Sequence, residues 1–99
     1  VDAWRTSQRA HAIANNVYVA AVNRTGFEPE PGTPGLEFHG HSFICDPAGV
    51  MLQDAGSADE ILIATCDPAR IEDVRRHWPF LRDRRVDAYA PITQRWLGP

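Results

Sequence analysis

A chain of 99 residues has room for one small domain and too little for two. Its 43% hydrophobic and 23% charged residues are those of an ordinary soluble globular fold, which excludes a chain disordered by composition. Ten arginines, no lysine and thirteen acidic residues leave a net charge of -3, which argues against nucleic-acid binding, because that role needs a basic surface to displace phosphate counterions.

Residues from about Ala3 to Asn16 read as a helix, with Ala10, Ile13, Ala14 and Val17 on one apolar face. Val17 to Val22 follows as a short strand, apolar on both sides and rich in β-branched residues. Asn23 to Leu36 reads as a loop, because its prolines and glycines oppose regular structure. His39 to Cys45 alternates as a strand that places His39, His41, Phe43 and Cys45 on one face. Asp46-Pro47-Ala48-Gly49 is a turn signal, so Val50 to Gln53 returns as the second arm of a hairpin. After a polar connection, Asp54 to Asp59, Ile61 to Thr65 reads as another buried strand.

Asp67 and Pro68 form a helix start, an acidic cap followed by proline at the first helical position. Ile71, Val74 and Trp78 make the apolar stripe, while Arg75, Arg76 and His77 suit the negative end of the helix dipole. Pro79 ends the helix and closes the core, residues 3–79; residues 80–99 read as an extended, arginine-rich tail. The fold class is therefore α/β. Two strands want cover on both faces and only two helices are present, so a layer is missing. Leaving large aliphatic side chains in water costs about 1.5–3 kcal/mol each. The chain opens on Val1 and enters a helix at once, which reads as a piece of something longer.

Cys45 and Cys66 lack CxxC spacing and fit free thiols in a reducing compartment. No stretch is long enough to span a membrane and no signal peptide is visible, so a cytoplasmic location is expected.

Several motifs now line up. Trp4, Gln8-Arg9-Ala10-His11 and Asn15-Asn16 lead into Val17-Tyr-Val-Ala-Ala-Val-Asn23-Arg-Thr-Gly26. His39-Gly-His-Ser42-Phe-Ile-Cys-Asp46-Pro-Ala-Gly49, Asp67-Pro-Ala-Arg-Ile71 and Arg82-Asp-Arg-Arg85-Val-Asp87-Ala-Tyr89 follow. In this order they resemble the nitrilase superfamily of carbon–nitrogen hydrolases, from about Trp4 to Tyr89. One departure is Val86, where the family usually has proline. The pattern resembles the branch containing N-carbamoylputrescine amidases.

The resemblance implies the C-terminal part of a four-layer αββα sandwich, assembled into a homo-oligomer whose tail often reaches a neighbour. It implies hydrolysis of an N-carbamoyl amine or small amide by a Glu–Lys–Cys mechanism, without cofactor or metal. In that chemistry cysteine attacks the carbonyl carbon, glutamate acts as base and lysine stabilises the oxyanion. The family's three catalytic residues precede the segment matched here, so none is expected in these 99 residues, and the absence of lysine agrees. The expected partners are the N-terminal part of the same protein and a small amide or carbamoyl substrate, with neither nucleic acid nor membrane.

Individual residues carry sharper and blander readings. Cys45, with His41 as base, is the one pair that fits a small self-contained cysteine hydrolase; both cysteines read better as small buried hydrophobes. His39 and His41 share the spacing of two zinc ligands but lack a third. Glu28 and Glu30 are candidates for selecting a cationic substrate by charge, against a plain solvated loop. Under the resemblance His11 is expected to fix local hydrogen bonds on its helix, and Asn23 and Ser42 to steady loops beside the pocket through hydrogen bonds to backbone, against the equal alternative that they satisfy local turns only. The arginines of residues 82–85 read as ion-paired rather than as a phosphate patch. A non-catalytic assembly module built on the same half-fold stays as a rival.

Overall fold

The computed structural model describes all 99 residues, Val1–Pro99. Helix α1 spans Asp2–Asn15, with Asp2 in its first turn. Asn16 follows in the left-handed conformation at φ 53°. The Asn16 amide donates to Ile13 O and the Val17 amide to Ala12 O, a Schellman closure with asparagine in the usual glycine place.

The buried face of α1 differs from the expected one. Trp4, Gln8 and Ala12 turn inward at i, i+4, i+8, and Ala12 is fully buried, whereas Ala10, Ile13 and Ala14 are exposed. One tryptophan removes more apolar area from water than several alanines, so Trp4 decides the orientation.

Strands β1 (Val19–Ala21), β4 (Phe43–Cys45) and β5 (Met51–Asp54) form an antiparallel sheet in the order β1-β4-β5. Val19 pairs with Cys45 and Ala21 with Phe43, which brings Ala21, Phe43 and Cys45 against Ala12 as the core. Trp4, Val19 and Met51 pack around them. The Asp46 turn is as expected: Asp46 Oδ1 accepts from Ala48 N and Val50 N at 2.8 and 2.9 Å. Gly49 takes φ +75°, and a β-carbon there would lie 2.8 Å from Ile13 Cδ1.

Three expectations change. The segment 23–36 is not all loop: β2 (Thr25–Glu28) and β3 (Leu36–His39) pair antiparallel as a second sheet. Gly26 at φ +91° does not break β2; it pairs with Phe38, and the proline–glycine run only closes the hairpin tip. The expected strand His39–Cys45 is split by Gly40 and His41 at φ 64° and 60°, so His39 belongs to one sheet and Phe43 to the other. Ile61–Thr65 pairs with no strand, and Ile61 and Ile63 are 89% and 80% exposed. Apolar composition cannot by itself make a strand, which needs a neighbouring backbone to take its hydrogen bonds.

Helix α2 spans Pro68–His77 and is capped by Asp67, whose side chain accepts from Ala69 N. Val74 is its buried residue, and Tyr18 Oη donates to Asp67 O at 3.1 Å, holding the helix start beside β1. From Phe80 onward every residue is exposed; the tail contains two short 3-10 turns, Val86–Ala88 and Ala90–Thr93. The Cα extents are 54 × 47 × 15 Å, a plate rather than a ball.

Candidate functional site

Where β1 and β4 leave their shared ladder, Asn23 and Ser42 face one another. Asn23 N donates to Ser42 Oγ at 2.8 Å, and Asn23 Nδ2 donates to Gly40 O at 2.9 Å. The same Nδ2 lies 3.0 Å from His39 Nδ1, and Arg24 N donates to Asn23 Oδ1 at 3.0 Å. One asparagine thus ties the end of the three-stranded sheet to both arms of the β2–β3 hairpin. Its amide can do this because it offers donors and an acceptor within one rigid group.

The surrounding backbone is equally constrained. Gly40 N donates to Arg24 O and His41 N to Gly56 O, both at 3.0 Å. A β-carbon on Gly40 would lie 2.9 Å from Gly56 O and from Thr25 Cγ2, so only glycine fits at φ +64°. His41 occupies left-handed backbone without that freedom, at φ 60°. Trp4 packs edge-on against His39 and Phe43, with centroids 5.7 Å apart in each pair, and so supports the clamp from α1.

Beside the clamp lies a depression of about 200 Å³, whose walls include Val22, Asn23, Thr25, Ser42, Asp59 and Glu60. Asp59 accepts from Thr25 Oγ1, and Glu60 Oε1 accepts from Gly56 N at 3.3 Å. In the sequence Asp59 falls in a plain polar connection and Glu60 carries no signal; both reach the depression because residues 55–60 fold back over Thr25, His41 and Ser42.

The other candidates lie apart from the clamp. Glu28 is paired with Arg24, Nη1 to Oε2 at 2.6 Å, and the Arg24 guanidinium lies 4.0 Å over the Phe38 ring. Glu30 accepts from Thr33 Oγ1 at the hairpin tip. Neither lines the depression. His11 is exposed on α1 and meets neither Asn23 nor Ser42; its carbonyl accepts from Asn15 Nδ2 at 2.9 Å. Of the five singled-out residues, the fold brings together Asn23 and Ser42.

Residues 1–76 match the family model described as carbon-nitrogen hydrolase. The chain belongs to that family. N-carbamoylputrescine amidase of Solanum tuberosum is 40% identical over 95 residues, covering 92% of this chain and 32% of the relative. Deaminated glutathione amidase of Synechocystis is 40% identical over 83 residues, covering 84% of this chain and 29% of the relative. The crystal structure of a carbon-nitrogen hydrolase from Helicobacter pylori G27 superposes with a TM-score of 0.89 at 45% identity, over 97% of this chain and 34% of that one. The chain thus spans about a third of the length of these relatives. The expected likeness to N-carbamoylputrescine amidases is borne out, as is the α/β class within the αββα superfamily.

Within this carbon-nitrogen hydrolase chain the two cysteines differ. Cys45 is fully buried in the core, and burial pushes its thiol above the ordinary value, which disfavours the nucleophilic thiolate. His41 sits in the turn before β4 rather than in line with Cys45 on an extended strand. Cys66 corrects the expectation that both are buried: it is exposed just before the α2 cap, because Ile61–Thr65 is uncovered. The His39 and His41 rings lie 6.4 Å apart, and no group of three His, Cys, Asp or Glu forms that could hold a metal ion. No helix is long and apolar enough to cross a membrane.

Proposed function

We propose that the protein containing this chain hydrolyses a non-peptide carbon–nitrogen bond, that of an N-carbamoyl amine or a small amide. The observation that carries this is the 40% identity to an N-carbamoylputrescine amidase across 92% of the chain. The reaction runs through a cysteine thiolate that attacks the carbonyl carbon and expels the amine as a thioester-type intermediate forms; water then cleaves the thioester. The glutamate base and the lysine that stabilises the oxyanion, like that cysteine, come from the N-terminal part of the same protein. The lack of any lysine in these 99 residues supports that division of labour.

In this reading the chain completes the sheets, supplies one wall of the pocket and offers a surface for homo-oligomer assembly in the cytoplasm. Asn23 and Ser42 hold the wall's backbone, and His11 steadies the helix behind it. Glu28 and Glu30 attract substrates that carry an ammonium group. Because Glu28 already holds Arg24, a cationic substrate competes with that pair.

The experiment is reconstitution with the remaining two thirds of the domain, followed by ammonia release from N-carbamoylputrescine and from an uncharged carbamoyl amine. Hydrolysis is expected only in the reconstituted protein, and E28K or E30K raises KM selectively for the cationic substrate. Turnover by the 99 residues alone sinks the division of labour. No turnover after reconstitution points instead to a non-catalytic assembly module, and equal KM changes for both substrates remove the two glutamates from recognition.

A further inference from the structure

The ten arginines divide five and five between those that pair with a carboxylate and those that do not. Arg5, Arg24, Arg70, Arg82 and Arg85 each pair with a carboxylate. Arg75 and Arg84 do not, and both line one groove of about 670 Å³ between the C-terminal end of α1, the last turns of α2 and the start of the tail. Arg82 joins them at the rim, and Ala14, Val17 and Leu81 supply an apolar floor. None of the nine lining residues is acidic, although the chain as a whole carries a charge of -3.

The arginines are held in different ways. Arg75 projects from the last turn of α2, where a cation suits the helix end. Arg84 is oriented by its own chain: Nε donates to Leu81 O at 2.8 Å, leaving its terminal nitrogens to meet a ligand. Arg82 holds the adjacent Asp83 through Nε at 3.0 Å, an exposed pair whose partner exchanges readily. The Arg75 and Arg84 guanidinium groups, lining one groove without a carboxylate partner, match the oxygens of a carboxylate or phosphate in charge and fork geometry. The floor adds a preference for an apolar body beneath the headgroup.

We propose that this groove binds a small organic oxyanion, a carboxylate or a phosphate ester carried on a short aliphatic chain. The site lies away from the Asn23–Ser42 clamp, and its existence does not depend on the amide chemistry proposed above. The competing explanation is that Arg75 and Arg84 only neutralise the carbonyl ends of the helices, in which case no anion saturates the groove.

Calorimetry and arginine Nε–Hε NMR with pentanoate, pentyl phosphate, inorganic phosphate and pentylamine separate the two. Saturable one-to-one binding of the organic anions, with shifts at Arg75 and Arg84, is expected, and pentylamine should not bind. The double variant R75Q/R84Q weakens binding about tenfold or more, whereas R76Q/R95Q, with the same loss of charge outside the groove, changes it less than about twofold. L81S weakens pentyl phosphate more than inorganic phosphate. The tighter of the two organic anions identifies the headgroup. Binding that never saturates in the unaltered protein overturns the proposal, as does equal weakening by both double variants, which is the mark of diffuse charge.

Discussion

The Asn16 side chain donates from Nδ2 to the Trp78 carbonyl at 2.8 Å, joining the ends of two helices 62 positions apart in sequence. Asn16 is also the left-handed residue that closes α1, and it is 4% exposed. Two separable effects meet in it. Asn16→Gly keeps the backbone conformation but leaves the Trp78 carbonyl unanswered, for an expected loss of about 1–2 kcal/mol. Asn16→Ala adds the steric cost of left-handed backbone, a further 1–2 kcal/mol or so. Urea unfolding of both variants checks this; equal losses would mean that backbone strain plays no part.

Gly49 and Ile13 couple the Asp46 turn to α1. Gly49→Ala sets a β-carbon against Ile13 Cδ1 and strains a φ of +75°, so a loss of about 2 kcal/mol or more is expected. Adding Ile13→Ala removes the clash but not the strain, so the double variant should be more stable than the sum of the two single losses. Simple additivity in thermal or urea unfolding excludes the contact.

Thiol labelling should resolve the cysteines by accessibility. Cys66 is exposed and reacts quickly with a small disulfide reagent under native conditions, whereas Cys45 is labelled only as the fold opens. Mass spectrometry of the labelled peptides is the readout. Fast native labelling at Cys45 revives a nucleophilic role for that residue.

Arg85 donates to Asp87 from Nε and Nη2 at 2.9 and 2.7 Å, and this pairing holds the Asp87 carboxyl below its ordinary value. A folded pKa below the unfolded one stabilises the folded form above the unfolded pKa of about 3.9 and loses that effect as pH falls through the lower folded value. The pair therefore contributes a constant amount near neutrality and responds only in strong acid. Carbon-13 titration of Asp87 should move upward in pH in R85Q; an unchanged midpoint removes Arg85 as the cause.

Local signals were legible in the sequence. Asp67-Pro68 and Asp46-Pro47 read correctly because each cap or turn closes within a few residues through its own side chain. Signals that depend on distant chain were not. The β2–β3 hairpin was hidden because Gly26 looks like a breaker until Phe38 pairs with it. The apolar residues of Ile61–Thr65 suit a strand, yet no neighbouring backbone pairs with them.

The candidate site divides in the same way. The family resemblance points to Asn23 and Ser42, and they do meet. Gly40 and the link from Asn23 to His39 were missed, because the split in the supposed strand His39–Cys45 follows from a left-handed turn that composition does not announce at a histidine. Asp59 and Glu60 carry no motif and reach the depression only through tertiary folding.

A plate whose Cα atoms span 15 Å in its thin direction has two broad faces and little interior. Any body that shelters Ile61 and Ile63 lends its own association free energy to the fold by mass action. The melting temperature then rises with the concentration of that cover, and it belongs to the pair of surfaces in contact.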